Sequence, residues 1–539
     1  MKITLRPVVS YEPIVRALAH FVLAASILLI FFAALFPFDF HFPGTGFVHE
    51  VRRRFDSSPE PAVLQDRVQN VLFFVPLGIG LAASIRPKRG RATAARLLGG
   101  LVLGAAVSLT VETLQCFLGY RDPTWTDVAM NTLGAVIGAA VVTFAVNRHV
   151  EESMALPFAR LKPYATFRNV TVVLVVYTVA QLLIPFRAGN RGRLDNWDVN
   201  FPLIVGNEAG GERGWVGRVW QVDLASRAAS ADEARQIHDA GHARDVLRES
   251  LVASYRTLSD GPFFDATGLN KPLARSDQPR RDDDDSTTTT AAAATPTSQP
   301  AQVNLDRWLR TTGAIAPGIH RIRGTSQFTL SATIAPDETY QTGPARIVSI
   351  SGGVYRRNVS IMHDTRDLSL RVRTPLLGDD GSAPEGLIEN VFETTDPLHV
   401  VVTYANPLLV VYVNGAERGR MEITPEAEFI WRLYPRTGWR VRLGTYGFRA
   451  YALVYRMLVF VPFAALLAAA TALSGKPVRA QLAIIAGAIV AVAVVLELIM
   501  GSMMPSGLQV RNLIMSVAIA SLAVAAMRIR PSRSRRFTP

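Results

Sequence analysis

From residue 111 to residue 135 the chain reads VETLQCFLGYRDPTWTDVAMNTLGA, a polar stretch set between strongly apolar runs. Glu112 and Gln115 are three residues apart, Asp127 and Asn131 four apart, and upstream Asp66 and Asn70 again four apart, so on helices each pair shares a face. A carboxylate held on an apolar helix can take up or deliver a proton, which makes Glu112 and Asp127 acid/base candidates. Asn70, Gln115 and Asn131 offer hydrogen bonds, and Arg121 is a fixed cation suited to an anion. Asp122 follows it in a short connection where Pro123 ends any helical continuation. Two readings of this cluster stand side by side. In one the polar groups are interhelical glue, with Glu112 paired to Arg121 and each bond across helices contributing about 0.6 kcal/mol. In the other they form a site for a polar or anionic ligand, with Arg121 as its anion contact. Ion conduction is disfavoured, because the apolar runs contain no chain of acids leading inward.

The elements that must position these groups are legible from hydropathy. The chain has 539 residues and a mean hydropathy of +0.21 although 19% of its residues are charged, so the apolar and polar residues are unevenly mixed. Apolar runs recur near 14–38, 69–86, 95–118, 127–147, 169–186, 451–473, 479–500 and 508–528. Each is long enough to cross a hydrocarbon core of ~30 Å as a helix. The expected membrane part is therefore an all-α bundle of eight helices, with the lipid bilayer as partner. The net charge of +13 would suit nucleic acid, but the Lys and Arg residues gather in short segments beside the apolar runs, so no nucleic acid is expected. If the N-terminus, with Lys2, Arg6 and Arg16, is cytoplasmic, then Arg86 to Arg96, Arg148 to Arg168, Lys476 to Arg479 and Arg528 to Arg536 all fall inside, as the positive-inside rule requires. The loop with Arg52, Arg53 and Arg54 dissents. The first run lacks a small-residue cleavage site before FDFHF and is read as a retained helix.

An internal repeat runs through the apolar part. NVLFFVPLGIGLAAS (70–84) and RMLVFVPFAALLAAA (456–470) share Phe-Val-Pro; Glu112 follows Pro76 by 36 residues and Glu497 follows Pro462 by 35; Asp127 and Asn512 each lie 15 further on. LFPFDF (35–40) and LIPFRA (183–188) are expected to close the first helix of each half. The halves are thus two parallel four-helix repeats, the second carrying about 238 extra residues in its first outer loop. Asn70 becomes Arg456, Gln115 becomes Met500, Arg121 becomes Ser506, Asp127 becomes Asn512 and Asn131 becomes Ser516, while only the Glu persists. The first half reads as the working copy and the second as a scaffold copy.

NVLFFVPLG, then VETLQ, then YRDPTWTDVAMNTLGAVIGA resembles the VanZ-like family over about residues 14–147. Its pattern joins a Phe-x-Pro-x-Gly helix, a Glu-x-x-Gln, an Arg before a short loop, and Asp-x-x-x-Asn-x-x-Gly. The resemblance implies an integral membrane protein of bacteria whose namesake is linked to resistance to glycopeptide antibiotics such as teicoplanin. Position by position, Asn70, Glu112, Gln115, Arg121, Asp127 and Asn131 fit that pattern; the second half departs from it.

Short alternating runs fill 320–425, among them QFTLSATIAP, ARIVSISGG, LHVVVTYA and LLVVYVNGAERGR, and predict an antiparallel sandwich with a hairpin at Asn414-Gly415. They resemble the LamG-like, concanavalin A-like jelly roll. The element that usually closes that family occurs early here, at 195–233, which implies a circular permutation. ADEARQIHDAGHARDVLRESLVASYRTL (231–258) reads as an amphipathic helix, and 280–302 as a disordered, low-complexity loop. Asn207, Glu208, Asp364 and Asp367 are weighed as calcium ligands, but none sits in a spaced calcium-loop motif, and turn-forming or solvated roles fit them better. Trp215 and Trp220 are expected to pack in the sandwich. His238 and His242 lack a third ligand, no phosphate loop or nucleophile motif occurs, and no metal or cofactor is expected. With Cys116 the only cysteine, the outer part has no disulfide and depends on its hydrophobic core.

The expected organisation is a membrane repeat at 1–147, a linker and fifth helix at 148–186, an outward jelly roll at 187–450, and three helices completing a degenerate repeat at 451–539. Its expected place is the bacterial inner membrane, both termini cytoplasmic. The ligand expected at the polar site is lipid- or glycan-linked. The alternative is a membrane-anchored carbohydrate- or protein-binding module without catalysis. Whether any bond is made or broken, and the oligomeric state, are left open by the sequence.

Overall fold

The computed structural model describes residues 12–40, 46–56, 64–85, 92–118, 121, 123–145, 160, 162–188, 192–258, 261–277, 299–433, 438–444, 447–504 and 507–528. The described residues fall into two compact units, one drawn from 1–176 and 465–485, the other from 177–464 and 486–539.

The first unit is helical: α1 (Glu12–Leu35), α2 (Phe47–Asp56), α3 (Leu64–Ser84), α4 (Ala92–Gln115) and α5 (Trp125–Phe144), followed by the start of α6 (Phe167–Ala188). Ile30, Phe74, Leu77, Val107, Val111 and Ala135 form a shared core of α1, α3, α4 and α5. Small residues let α3 and α5 approach closely: a Cβ on Gly134 or Gly138 would overlap the carbonyl oxygens of Val71 and Val75. Thr124 caps α5, its hydroxyl accepting from Asp127 N–H at 2.9 Å. Outward-facing Leu98, Leu101, Val102, Leu109, Val172, Val173, Val175 and Val176 remain exposed, an apolar surface suited to acyl chains and not to water.

The dissenting loop is a helix. In α2 the apolar Phe47, Val51 and Phe55 recur every fourth residue, and Phe55, Cys116 and Phe117 share a small core. Phe47 stacks on Phe117 with ring centroids 5.1 Å apart, and Phe55 meets Trp125 at 4.7 Å. Glu50, buried on this helix, bonds both Arg53 and Arg54. The helix-closing role expected of both Pro-Phe pairs holds for α1, which ends at Leu35, but α6 runs through Pro185 to Ala188. So near a helix end, proline forfeits only the bond to the Gln181 carbonyl.

In the second unit the strands and helices run β1 (Leu203–Val205), β2 (Gly217–Ala225), α7 (Ala231–Ala240), α8 (Arg244–Leu247), β3 (Leu251–Arg256), β4 (Leu273–Asp277), β5 (Ala301–Val303), β6 (Arg307–Thr311), α9 (Ala316–Thr325), β7 (Gln327–Pro336), β8 (Gln341–Gly353), β9 (Arg356–Thr365), β10 (Asp367–Val372), β11 (Glu385–Ile388), β12 (Leu398–Ala405), β13 (Leu408–Val413), β14 (Ala416–Glu422), α10 (Pro425–Arg432) and β15 (Arg440–Arg442). They build a β-sandwich region from two sheets, ordered β15-β11-β10-β9-β8-β1-β6-β4 and β14-β13-β12-β7-β2-β3 with β5 beside β2, and neither sheet closes on itself. The early segment that resembles a closing element supplies an inner strand to each sheet: β1 between β8 and β6, and β2 between β7 and β3. Asn414 and Gly415 both have positive φ and form the hairpin turn between β13 and β14.

The amphipathic helix expected over 231–258 is shorter. A Ser230–Glu233 capping box starts α7, and Gly241, at φ 73°, ends it. LVASYR then pairs with β2 as strand β3. Ala234 and Ile237 of α7 pack on Val401, Val410 and Tyr412 of the sheet. Of the loop expected at 280–302, residues 280–298 lie outside the described residues, and Ala301–Val303 is strand β5.

The chain continues with α11 (Gly447–Leu473), α12 (Val478–Met503) and α13 (Val510–Arg528). Each of the eight apolar runs is helical, but the count of eight needs correction: among the described residues there are 13 α-helices, and seven are long and apolar enough to cross a membrane. The eighth run, in α13, offers the shorter apolar stretch Val510–Ala525.

Candidate functional site

Helices α1 and α4 finish, and α3 and α5 begin, at one end of the first unit, and a cleft of about 530 Å³ opens there. Ala33 and Ala34 of α1, Gln69, Asn70 and Phe73 of α3, Glu112 and Gln115 of α4, Arg121 of the connection and Asn131 of α5 line it. Five of the eight polar residues singled out from the sequence therefore meet in one cavity. Asp127 lies one bond away: Asn70 Nδ2 donates to its Oδ1 at 2.6 Å. Asp122 lies outside the described residues, and Asp66, on α3, does not line the cleft.

The hydrogen bonds divide the cluster. Asn131 Nδ2 donates to Ser108 Oγ at 3.0 Å, joining α5 to α4. Gln115 Nε2 donates to the Ala34 carbonyl at 3.1 Å, joining α4 to α1. Asn70 and Asp127 join α3 to α5. These three bonds are the interhelical glue. Glu112 differs: it is only 3% exposed, and one carboxylate oxygen accepts the Thr124 backbone N–H at 3.3 Å, leaving the group on the cleft wall with Arg121 and Asp127 as its charged neighbours. Thr124 was missed in the sequence, although a threonine just before an apolar helical run is the usual sign of a helix N-cap. Gln69 and Ser108 carried no such sign.

In the last three helices the Glu contact recurs while the residues around it differ. Glu497 of α12 accepts the backbone N–H of Gln509, just before α13, at 2.9 Å. This is the same 12-residue step as from Glu112 to Thr124. Arg456 of α11 is fully buried and donates from Nη2 to Glu497 at 2.9 Å, from Nη1 to Glu426 of α10 at 2.8 Å, and from Nε to the Asn512 carbonyl at 3.2 Å. The cleft beside it is about 270 Å³.

Residues 19–146 match the VanZ/LLP1 family model. The matched stretch holds every residue of the first cleft, and with seven helices able to cross a bilayer it marks a membrane protein. No curated protein and no solved structure matches the chain.

Outside the VanZ/LLP1 region, the residues weighed as calcium ligands have other work. Asn207 organises a turn, accepting from the Glu208 and Arg213 N–H groups and donating to the Gly211 carbonyl. Glu208 is buried against Arg346 and Arg357, Asp364 pairs with Arg440, and Asp367 accepts from Asn390 N–H. Burial lowers the Arg346 and Arg357 guanidiniums to about 9 and about 10. Trp215 packs inside, donating to His363 Nδ1 at 3.3 Å, whereas Trp220 is half-buried beneath Arg218, because alternate residues of a strand face opposite ways. Burial holds His363 and His399 down to about 4. His238 lies against His399 with ring centroids 5.7 Å apart, and His242 is next to Asp245.

Proposed function

We propose that this is a bacterial inner-membrane protein of the VanZ-like type that binds a polar, lipid- or glycan-linked envelope ligand in the first cleft. The N- and C-termini are cytoplasmic, the cleft opens outward, and residues 187–450 form an outward concanavalin A-like domain inserted in a second, degenerate four-helix repeat. Arg121 contacts the anionic part of the ligand. Asn70, Gln115 and Asn131, with Asp122 in the adjoining connection, shape the site, and Glu112 and Asp127 are its acid/base groups. The observation that carries this reading is Glu112, a carboxylate almost wholly withdrawn from solvent yet facing a cavity while its polar neighbours are engaged between helices. A buried charge of this kind costs roughly 2.5–3.5 kcal/mol to place in a span, a cost out of proportion to a single N–H contact. Glu112→Gln should remove the envelope phenotype, including any contribution to glycopeptide resistance, at normal protein levels. Unchanged phenotype at normal levels defeats the reading.

A second reading, a glycan-binding module anchored by the membrane part, is favoured by one observation. Exposed Tyr340 shares a cavity of about 460 Å³ with Asp367, Glu389 and Asn390, the pairing of an aromatic face with acceptors that suits a sugar. A glycan array probed with the full chain in nanodiscs tests it, and silence across the array counts against it.

A further inference from the structure

The larger sheet has two unlike faces. Along β9 and β10, Val359, Ile361 and Leu370 alternate with Ser360, Ser369 and Arg371, so one face packs in the apolar core of the sandwich and the other is polar. A register shift between Ile350 and Ser351 of β8 sets Arg357 opposite Ser351 and so adds it to the polar face. That face is not wet: Arg346, Arg357, Ser360, Ser369, Glu208 and Glu385 are each at most 1% exposed.

The charges on this face do not close into pairs. Glu385 takes Arg371 at 2.6 Å. Glu208 is shared by two guanidiniums, Arg346 at 3.3 Å and Arg357 at 3.9 Å, the second beyond hydrogen-bonding reach. Asp380 acts on Arg357 by charge alone, since Ser382 holds both its oxygens, and Arg440 pairs with Asp364. Among the described residues, none of the three guanidinium nitrogens of Arg357 has a hydrogen-bond partner, and neither do the Ser360 and Ser369 hydroxyls on the same face. Burial lowers Arg346 and Arg357 only to about 9 and about 10, so both keep their charge at neutral pH. A buried guanidinium whose N–H groups meet no acceptor is heavily penalised. Water can supply an acceptor there, but not the opposite charge.

We propose that the polar face of the larger sheet holds a resident small anion of the chloride class, which accepts from the Arg357 guanidinium and the Ser360 hydroxyl. Complete burial of both side chains limits the occupant to an ion near the size of a water molecule and turns away sugars and phosphate head groups.

The test uses the full-length protein in detergent, with tryptophan fluorescence reporting unfolding and gluconate, too large for a buried position, keeping the ionic strength constant. Raising chloride from about 1 to about 100 mM should raise the midpoint by about 3–5 °C, and bromide should do the same. Chloride NMR gives the direct measure: the line broadening that wild type causes should be lost with Arg357→Met, whose midpoint should also be indifferent to chloride. Ser360→Ala keeps every charge and should weaken chloride binding about tenfold, which carries the test if Arg357→Met fails to fold. A wild-type midpoint that is the same at both chloride levels overturns the proposal and leaves the face to water. A chloride effect that these variants leave undiminished overturns it too, because the ion then sits elsewhere.

Discussion

Arg456→Ala tests the buried ion cluster of the second unit most directly. Arg456 is fully buried and holds Glu426, Glu497 and the Asn512 carbonyl within 3.2 Å. Both carboxylates are themselves buried, so removing the guanidinium leaves two like charges facing each other without a cation. Breaking a buried pair from one side costs about 3–5 kcal/mol. At about 2 °C per kcal/mol for a unit of this size, the midpoint should fall by about 6–10 °C. The assay is tryptophan fluorescence of the full chain in detergent at a fixed scan rate, since unfolding of such a chain is governed by kinetics as well as equilibrium. Adding Glu426→Gln and Glu497→Gln to Arg456→Met should restore most of the loss, because the triple variant buries no net charge. A midpoint within about 2 °C of wild type for Arg456→Ala refutes the assignment of a structural ion cluster.

Two further expectations follow from packing and burial. Gly134→Leu should abolish the folded first unit, because any Cβ there overlaps the Val71 carbonyl on α3; accumulation of the variant at wild-type level with an unchanged midpoint would show that α3 and α5 do not touch as described. His363 and His399 are held neutral by burial, with values near 4 against an ordinary 6.5, so between those limits the unfolded chain binds more protons than the folded one. Their contribution is therefore complete above about pH 6.5 and is lost as pH falls towards 4, and urea unfolding followed at pH 7, 6 and 5 should show a stability loss on acidification that His399→Asn reduces.

The membrane helices were legible in the sequence because hydropathy adds along a run, and lipid offers the backbone no alternative to a helix. The polar cluster was legible for the same reason: Glu112 and Asn131 stand out where almost everything else is apolar. Helix α2 was not, since Arg52, Arg53 and Arg54 masked the four-residue spacing of Phe47, Val51 and Phe55. The strand within 231–258 was hidden by a continuous polar pattern; Gly241 was the visible break, and pairing with β2 decided the rest. The Glu426–Arg456 contact joins residues 30 apart in sequence, on a short helix of the sandwich region and on a spanning helix, and no local pattern announces such a meeting.

That Glu112 and Glu497 both persist does not by itself argue for function, since each accepts the N–H of the residue just before a following helix and would be retained for that alone. An amide oxygen accepts that N–H as well as a carboxylate does, whereas only the carboxylate pairs with a cation. Glu112→Gln therefore keeps the cap and removes the charge, while Glu112→Ala removes both. If the residue is only a cap, Gln should behave as wild type and Ala should destabilise the connection before α5. If it also holds a ligand, Gln and Ala should be equally inactive while differing in stability. The pair of substitutions thus separates a fold requirement shared by both copies from a binding requirement specific to the copy whose place opposite the carboxylate is taken by Asn70 instead of Arg456.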